Sequence, residues 1–296
     1  MPEKIEVNGV TINYTKAGQG FPLLLLHGYP ENHQMWHKIA PQLALEWTVI
    51  MPDLRGYGDS SKPVAKADSS NYSKRVMAED MVQLMDILGY GQFYLIGHDR
   101  GARVAHRLTL DYPARVKKLG VLDIVPTYDM YSRTDQEFAR VYFHWFFLIQ
   151  PYPFPETLIG SNPDYFLEYC LKSWSQDFSS FTPQVLEQYR RCFRDPLTIG
   201  GTCADYRAAA TIDLEHDRQD LDRKITCPVL VLWGNQGLME RKYDVLELWR
   251  DRAHDVRGYS LPCGHFLPEE APEATYGYIR SFLMDNSVST PINFGV

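Results

Sequence analysis

The chain has 296 residues, of which 45% are apolar and 23% charged, a composition typical of a soluble globular protein with one large core or a core plus an inserted lobe. Its formal net charge of −7 argues against nucleic acid as a partner and against a basic membrane-binding face, so an anion would need a local positive site. The five cysteines lack metal-ligand spacing, and no leader or apolar run of about 18 residues suggests export or a membrane span, so we expect a cytoplasmic protein with reduced thiols.

The first third of the chain predicts strands that alternate with helices. Residues 5–14 alternate in polarity around Asn8-Gly9, a pair that favours a tight turn, so they predict an antiparallel hairpin. Continuous apolar runs predict strands that are buried on both faces, and apolar residues at helical spacing predict helices. The elements expected after the hairpin are strand 23–26, helix 33–45, strand 48–51, a turn-rich loop 53–60 and helix 72–88.

Residues 91–107, GQFYLIGHDRGARVAHR, predict a strand, a sharp turn and a helix in that order. The spacing Gly97-x-Asp99-x-Gly101 is that of a nucleophile elbow, in which small residues let a strained turn expose the central side chain above the sheet. That side chain is a carboxylate here. A carboxylate is ionised at neutral pH, needs no base to attack, and forms an ester that water must later break.

The second half of the chain predicts a helical insertion between two strands of one sheet. Residues 116–122 predict a strand that leads to Asp123, whereas 127–213 are dense in aromatic residues and contain no run typical of a buried strand. The sheet-like pattern then resumes as strand 228–233, helix 242–250, strand 256–261, helix 271–284 and a poorly tied tail over 285–296.

The predicted fold class is therefore α/β, with a mostly parallel twisted sheet, helices on both faces and one antiparallel edge. We expect a core domain formed by residues 1–126 and 214–296, and a helical cap domain formed by 127–213.

This order of elements, with His27-Gly28, the elbow at Asp99 and a late Gly264-His265, resembles the α/β-hydrolase fold over nearly the whole chain. The run HDRGAR at 98–103 and the pair His144-Trp145 resemble the fluoroacetate (haloacetate) dehalogenase family. The resemblance implies hydrolysis of short 2-haloacids, such as a haloacetate to glycolate and halide, through an aspartyl ester. It also implies a small anionic substrate, no metal or organic cofactor, and a homodimer.

Three residues are the candidate catalytic set. Asp99 is the predicted nucleophile, and His265, which follows a strand and precedes the last helix, is the natural base that activates water. The segment 233–238 has no carboxylate where many members of the fold carry the acid. The resemblance implies that the acid is instead Asp123, directly after the strand that follows the elbow helix, a position used by dehalogenase-like members, where it would orient His265. Asp213 and Asp217 are weaker rivals for that role.

Arg100 and Arg103 are the candidate ligands of the substrate carboxylate. They lie three residues apart on the helix that begins at the elbow, so they share a face. Cations in the first helical turn oppose the helix dipole unless an anion binds there, and a guanidinium can grip a carboxylate at two points. Family members that act on neutral haloalkanes or epoxides tend to have Trp after the nucleophile.

The resemblance further implies that His144, Trp145 and Tyr206 of the cap bind the leaving halide. Their ring N–H and phenol O–H groups are suitable donors to an anion that develops during the reaction. The backbone N–H groups of Tyr29 and Arg100 are the expected oxyanion hole for ester hydrolysis.

Two other functions are also compatible with the sequence. An epoxide hydrolase shares the Asp nucleophile and uses cap tyrosines as acids, for which Tyr142 and Tyr206 are available. A non-catalytic ligand-binding member of the fold is the other alternative. The sequence is compatible with cleavage of C–F, C–Cl or C–Br bonds, and with acids of different chain length and stereochemistry.

Overall fold

The computed structural model describes residues 2–285, so the predicted tail beyond Asp285 lies outside the described residues. Its centre is one eight-stranded sheet with the order β1-β2-β4-β3-β5-β6-β7-β8. β2 is antiparallel to both of its neighbours, whereas every pair from β4 to β8 is parallel, which confirms the predicted α/β class with an antiparallel edge. The strands are β1 (Glu3–Val7), β2 (Val10–Ala17), β3 (Pro22–Leu26), β4 (Thr48–Pro52), β5 (Phe93–His98), β6 (Val116–Leu122), β7 (Val229–Gly234) and β8 (Val256–Leu261).

The helices before the insertion are α1 (Ala40–Leu43), α2 (Lys74–Ile87) and α3 (Asp99–Asp111). The continuous helix predicted over 33–45 is wrong: a 3-10 turn, His33–Trp36, is followed by the single turn of α1. Pro41 explains the break, because proline has no N–H to donate and its ring clashes with the carbonyl four residues earlier.

The insertion between β6 and β7 is helical, as its aromatic-rich sequence predicts. Its elements are α4 (Thr127–Ser132), α5 (Gln136–Val141), α6 (His144–Phe147), α7 (Phe154–Ser161), α8 (Pro163–Trp174), the 3-10 turn Phe178–Ser180, α9 (Pro183–Phe193), α10 (Pro196–Ala210) and α11 (Ile212–Gln219). Three of these helices begin with proline directly after a capping side chain, Asn162, Thr182 or Asp195, an arrangement that favours helix initiation. The predicted boundary at residue 213 falls inside α11.

After the insertion the chain forms α12 (Leu238–Lys242), α13 (Val245–Arg250), α14 (Leu267–Glu270) and α15 (Pro272–Met284). The helix predicted over 242–250 begins too early: Lys242 is the last residue of α12, residues 243–244 are not helical, and α13 covers the rest. The Asp244 side chain accepts a hydrogen bond from Glu247 N at 2.9 Å and so starts a new helix at this point.

The sheet places the candidate site at its carboxyl edge. Leucines 23–26 of β3 are fully buried, so this central strand is packed on both faces. The ends of β3, β5 and β6 lead directly into the loops that carry Tyr29, Asp99 and Asp123, where ligands bind in open α/β sheets. Over residues 2–285, the chain has no helix long and apolar enough to cross a membrane.

Candidate active site

Asp99 lies at the tip of the predicted elbow, between β5 and α3. Its φ of +42° is in the left-handed region that an L-residue rarely adopts, so the backbone here is strained. A Cβ at Gly97 would come within 2.6 Å of the Ala102 backbone, and one at Gly101 within 2.4 Å of the His27 carbonyl oxygen. The two glycines are therefore required by close backbone packing on either side of the strained turn.

The Asp99 carboxylate is held ionised in a buried setting. The backbone N–H of Tyr29 donates to Oδ2 at 3.1 Å. Burial alone would raise the pKa of Asp99, but the charges of His265, Arg103 and Arg100 outweigh it and lower that pKa. The side chain, 6% exposed, is thus a desolvated anion beside cations, as a carboxylate nucleophile requires.

His265 and Asp123 are brought together by the fold. Asp123 directly follows β6, and its Oδ2 lies 2.5 Å from His265 Nδ1. Its Oδ1 accepts a hydrogen bond from Gly234 N at 2.9 Å, which fixes the carboxylate. The rival Asp213 instead accepts a hydrogen bond from Lys74 N at 2.8 Å, so the geometry favours Asp123 as the partner of the base.

Arg100 is fully buried, and a residue that the sequence analysis did not consider orients it. Its Nε and Nη2 donate to the Asp205 carboxylate at 2.9 and 2.8 Å, and Nη2 also lies 3.1 Å from the Asp205 carbonyl oxygen. Among the described residues, its Nη1 has no hydrogen-bond partner. Nη1 is therefore the Arg100 nitrogen that is available to bind an anion, because Asp205 already occupies the other two nitrogens.

Asp205 is the centre of a buried cluster that also includes Arg100, Lys74 and Tyr57, here named the Asp205 cluster. Tyr57 Oη donates to Asp205 Oδ2 at 2.6 Å, and Lys74 Nζ contacts Oδ1. Burial opposes ionisation of Asp205, but Arg100 and Lys74 outweigh it and lower its pKa. The only signal in the sequence was a lone acid in a mostly apolar helical segment, next to Tyr206.

Arg103 is oriented by different partners. Its Nη1 donates to Val125 O at 3.1 Å and to Thr127 Oγ1 at 2.9 Å, and its guanidinium lies 4.7 Å from the Trp145 ring centroid. Its Nε is buried without a hydrogen-bond partner in the described part of the chain. Both arginines are close enough to Asp99 to lower its pKa, and each has one nitrogen without a hydrogen-bond partner among the described residues.

The three predicted halide ligands also meet. The rings of His144 and Trp145 lie 5.6 and 6.0 Å from that of Tyr206. His144 Nδ1 and Tyr206 Oη are buried without a hydrogen-bond partner among residues 2–285. Burial lowers the pKa of His144 well below its ordinary value, so the imidazole is neutral and carries one N–H.

Trp174 is a site residue that the sequence analysis missed. Its ring lies 4.3 Å from that of His144 and 6.0 Å from that of His265. Its buried Nε1 has no hydrogen-bond partner in the described chain. A cleft of about 150 Å³ lies beside it and includes Tyr142 and His265 in its lining. Nothing in its sequence context separated Trp174 from the other aromatic residues of the insertion.

The described residues contain no group of three or more His, Cys, Asp or Glu side chains arranged to hold a metal ion. The side chains that meet here are a buried carboxylate, a His–Asp pair, two arginines, and several N–H and O–H donors without a hydrogen-bond partner in the described chain.

The chain was compared with known proteins and structures. Residues 22–272 match the family model described as the alpha/beta hydrolase fold. The chain is 49% identical to a fluoroacetate dehalogenase from Burkholderia sp over 95% of this chain and 93% of the relative. It is 33% identical to a soluble epoxide hydrolase from Corynebacterium sp. (strain C12), over 90% of this chain and 91% of the relative. A crystal structure of a proposed alpha/beta hydrolase from Nostoc sp PCC 7120 is 64% identical, with a TM-score of 0.95 over 96% of this chain and 98% of that one.

Proposed function

The chain belongs to the α/β-hydrolase fold family, and on that premise we propose that it is a hydrolytic dehalogenase of short 2-haloacids. It converts haloacetates, fluoroacetate among them, to glycolate and halide. The observation that carries this proposal is the buried Asp99 carboxylate beside two buried arginines that each keep one unpaired donor. The 49% identity to a fluoroacetate dehalogenase supports the same substrate class.

In the first half-reaction, an oxygen of Asp99 attacks the α-carbon of the acid from the side opposite the halogen. The carbon–halogen bond breaks, its electron pair leaves with the halide, and an ester to Asp99 remains. Arg100 Nη1 and Arg103 Nε bind the substrate carboxylate. His144, Trp145 and Tyr206 donate hydrogen bonds to the departing halide, where negative charge develops.

In the second half-reaction, His265 takes a proton from a water molecule, and the water oxygen attacks the Asp99 carboxyl carbon. Because Nδ1 of His265 faces Asp123, Nε2 is the nitrogen that receives the proton. Asp123 then stabilises the imidazolium. The N–H groups of Tyr29 and Arg100 stabilise the oxyanion, and the support for Tyr29 is its existing hydrogen bond to Asp99. The bond between the Asp99 carboxyl carbon and the glycolate oxygen then breaks, and that oxygen takes the proton from His265. Glycolate leaves, the Asp99 carboxyl loses its remaining proton to solvent, and the carboxylate is restored.

We assign residues 127–213 to a cap that closes the site over a core of 1–126 and 214–296. The cap supplies the proposed halide donors, and Asp205 lies in it. The support for this division is that the helices after β6 carry these side chains to the edge of the sheet.

We also propose a homodimer in the cytoplasm. Large apolar side chains on two neighbouring helices are open to solvent, with Phe154 54% and Tyr165 68% exposed, and the five cysteines are free. Light scattering after size-exclusion chromatography tests the dimer, and a mass equal to one chain contradicts it.

The test of the function is halide release from fluoroacetate, chloroacetate and bromoacetate by the purified protein. A single turnover in heavy-oxygen water places label in Asp99 if the ester forms, whereas a non-catalytic binder stays unlabelled. Absence of halide release from all three acids refutes the proposal.

An epoxide hydrolase is the second candidate, because Tyr206 Oη is unpaired near Asp99 and the Corynebacterium relative carries that name. Two buried cations beside the nucleophile disfavour a neutral substrate. Diol formation from styrene oxide without halide release would establish this alternative.

A further inference from the structure

The side chain of His98, the residue before the nucleophile, contacts two other loops of the site. It is fully buried, and its Nε2 donates to the carbonyl oxygen of His265 at 2.8 Å. The N–H of His265 in turn donates to Trp174 O at 2.9 Å. The backbone of the base is therefore held from both sides, by His98 through its carbonyl and by the cap through its amide.

The other nitrogen of His98 faces a buried acid. Nδ1 lies 3.1 Å from Oε2 of Glu31, which is 3% exposed and belongs to the same loop as Tyr29. This contact is an ion pair rather than a hydrogen bond, because neither His98 Nδ1 nor the Glu31 carboxylate oxygens have a hydrogen-bond partner among the described residues. The buried carboxylate at this distance stabilises the ring as an imidazolium. Burial opposes that charge, but the Glu31 carboxylate outweighs it and raises the pKa of His98 to about 9.

The ion pair therefore links three loops that each contribute to the chemistry. Glu31 lies two residues after Tyr29, whose N–H donates to Asp99 at 3.1 Å. His98 immediately precedes Asp99, and it holds the backbone of His265. Removal of either charge would leave the other buried without its partner, so both loops would be expected to shift.

We propose that the Glu31–His98 ion pair is a positioning device for ester hydrolysis, the second half-reaction of the proposed dehalogenase. It keeps the backbone N–H of Tyr29, which is the oxyanion donor, and the base His265 correctly positioned around the Asp99 ester. This inference rests on the proposed function.

The first half-reaction depends much less on the ion pair. The turn at Asp99 is set by the close packing of Gly97 and Gly101, and the arginines are held by Asp205, Val125 and Thr127. None of these contacts includes Glu31 or the His98 side chain. Alkylation of Asp99 therefore survives a change that slows hydrolysis of the ester.

The test uses Glu31→Gln, an isosteric change, and His98→Ala, with chloroacetate as substrate. We expect ester hydrolysis to slow by about 10- to 100-fold, the effect of a small misplacement of reacting groups. Because only the second step slows, kcat and KM fall together, kcat/KM is nearly unchanged, and the Asp99 ester accumulates in the intact-protein mass spectrum. His98→Gln keeps an N–H donor for the His265 carbonyl and is expected to recover part of the rate lost in His98→Ala.

Glu269→Gln is the matched control. Glu269 is a buried carboxyl near Glu31, but its carboxyl accepts a hydrogen bond from Tyr189 Oη and lies 3.8 Å from Lys38 Nζ, and its partners do not include His98. We expect this variant to hydrolyse the ester at the wild-type rate. The proposal is overturned if folded Glu31→Gln accumulates no ester, or if its kcat/KM falls as much as its kcat. Failure of the wild type to release halide would instead count against the proposed function.

Discussion

The carboxylate of Asp205 grips the guanidinium of Arg100 through two hydrogen bonds, of 2.9 and 2.8 Å, between a helix of the insertion and the helix that starts at the nucleophile. Because these bonds occupy Nε and Nη2, they determine that Nη1 is the donor left for a ligand. The insertion thus contributes to the proposed carboxylate site without touching the substrate through Asp205 itself.

Replacement of Asp205 by Asn is expected to weaken both the fold and substrate binding. Arg100 and Lys74 would lose their buried counter-charge, which typically costs about 3–5 kcal/mol. Urea unfolding measures this loss, and the KM for chloroacetate is expected to rise because Nη1 is no longer held in place. Asp59→Asn is the control, since Asp59 and its partner Arg191 form an exposed pair worth about 0–1 kcal/mol. Equal stability of the two variants would contradict the structural role of Asp205.

Replacement of Arg103 by Lys is expected to raise the KM for chloroacetate by about 10- to 100-fold. A hydrogen bond to a charged group contributes about 1.5–3 kcal/mol, and lysine has no Nε–H at the position where Arg103 is unpaired. Arg107→Lys is the matched control on the same helix, because Arg107 pairs with Asp111 and Asp220. Initial rates of halide release measure both. A similar KM in the two variants would argue against carboxylate binding by Arg103.

Replacement of His265 by Gln is expected to trap the aspartyl ester. Asp99 still attacks the haloacid, but no base activates water, so one halide is released per active site and the ester persists. Asp123→Asn is expected to lower kcat by on the order of 10³–10⁴, because the base loses its orienting carboxylate. A stopped-flow halide assay and intact-protein mass spectrometry follow both variants. Steady turnover by folded His265→Gln would exclude this residue as the base.

Replacement of Tyr206 by Phe is expected to slow carbon–halogen cleavage, with the largest effect on fluoroacetate. Loss of one donor to a developing anion commonly costs on the order of 10²-fold or more, and fluoride accepts hydrogen bonds more strongly than bromide. Tyr142→Phe is the comparison, because it affects an epoxide hydrolase but is not assigned to the halide. The ratio of fluoroacetate to bromoacetate rates gives the readout. A ratio unchanged by Tyr206→Phe would remove Tyr206 from the halide site.

Glu269 is expected to make stability fall as the pH rises. Burial, followed by the charge of Glu31, raises the pKa of Glu269 from its ordinary 4.5 to about 8 in the folded protein. The folded state then holds a proton that the unfolded state releases. The contribution is full below pH 4.5 and is lost progressively up to pH 8, by at most about 1.4 kcal/mol per pH unit.

Melting temperatures between pH 5 and pH 8.5 test this expectation. Glu269→Gln mimics the protonated side chain, so its melting temperature is expected to fall less over this range than that of the wild type. Glu273→Gln, a change at an exposed position of α15, is expected to keep the wild-type dependence. Identical pH profiles for Glu269→Gln and the wild type would show that Glu269 does not titrate in this way.

Local sequence was sufficient for most of the sheet and for the elbow. The strands at 116–122 and 256–261 were predicted with their observed bounds, although Lys117 and most residues of 256–261 are not buried. The helix predicted over 33–45 missed the break before Pro41, and the helix predicted over 242–250 started before the cap at Asp244. Apolar spacing does not show where a backbone hydrogen bond is lost or where a cap begins. The catalytic and binding roles assigned from the sequence remain predictions.

By itself, the sequence determined the α/β class, the strained turn at Asp99 and the candidates His265, Arg100 and Arg103. The turn and the two arginines follow from short spacings, which fix the side chains that share a helix face. The fold class follows from the alternation of strands and helices, and His265 from its place in the resembled fold. Only the tertiary structure decided that Asp123 rather than Asp213 faces His265, that Asp205 occupies two donors of Arg100, and that Glu31 and His98 pair beneath the site. These partners are 67 to 142 residues apart in the chain. Contacts between such distant segments depend on how the sheet and the inserted helices pack, and no local sequence pattern encodes that packing.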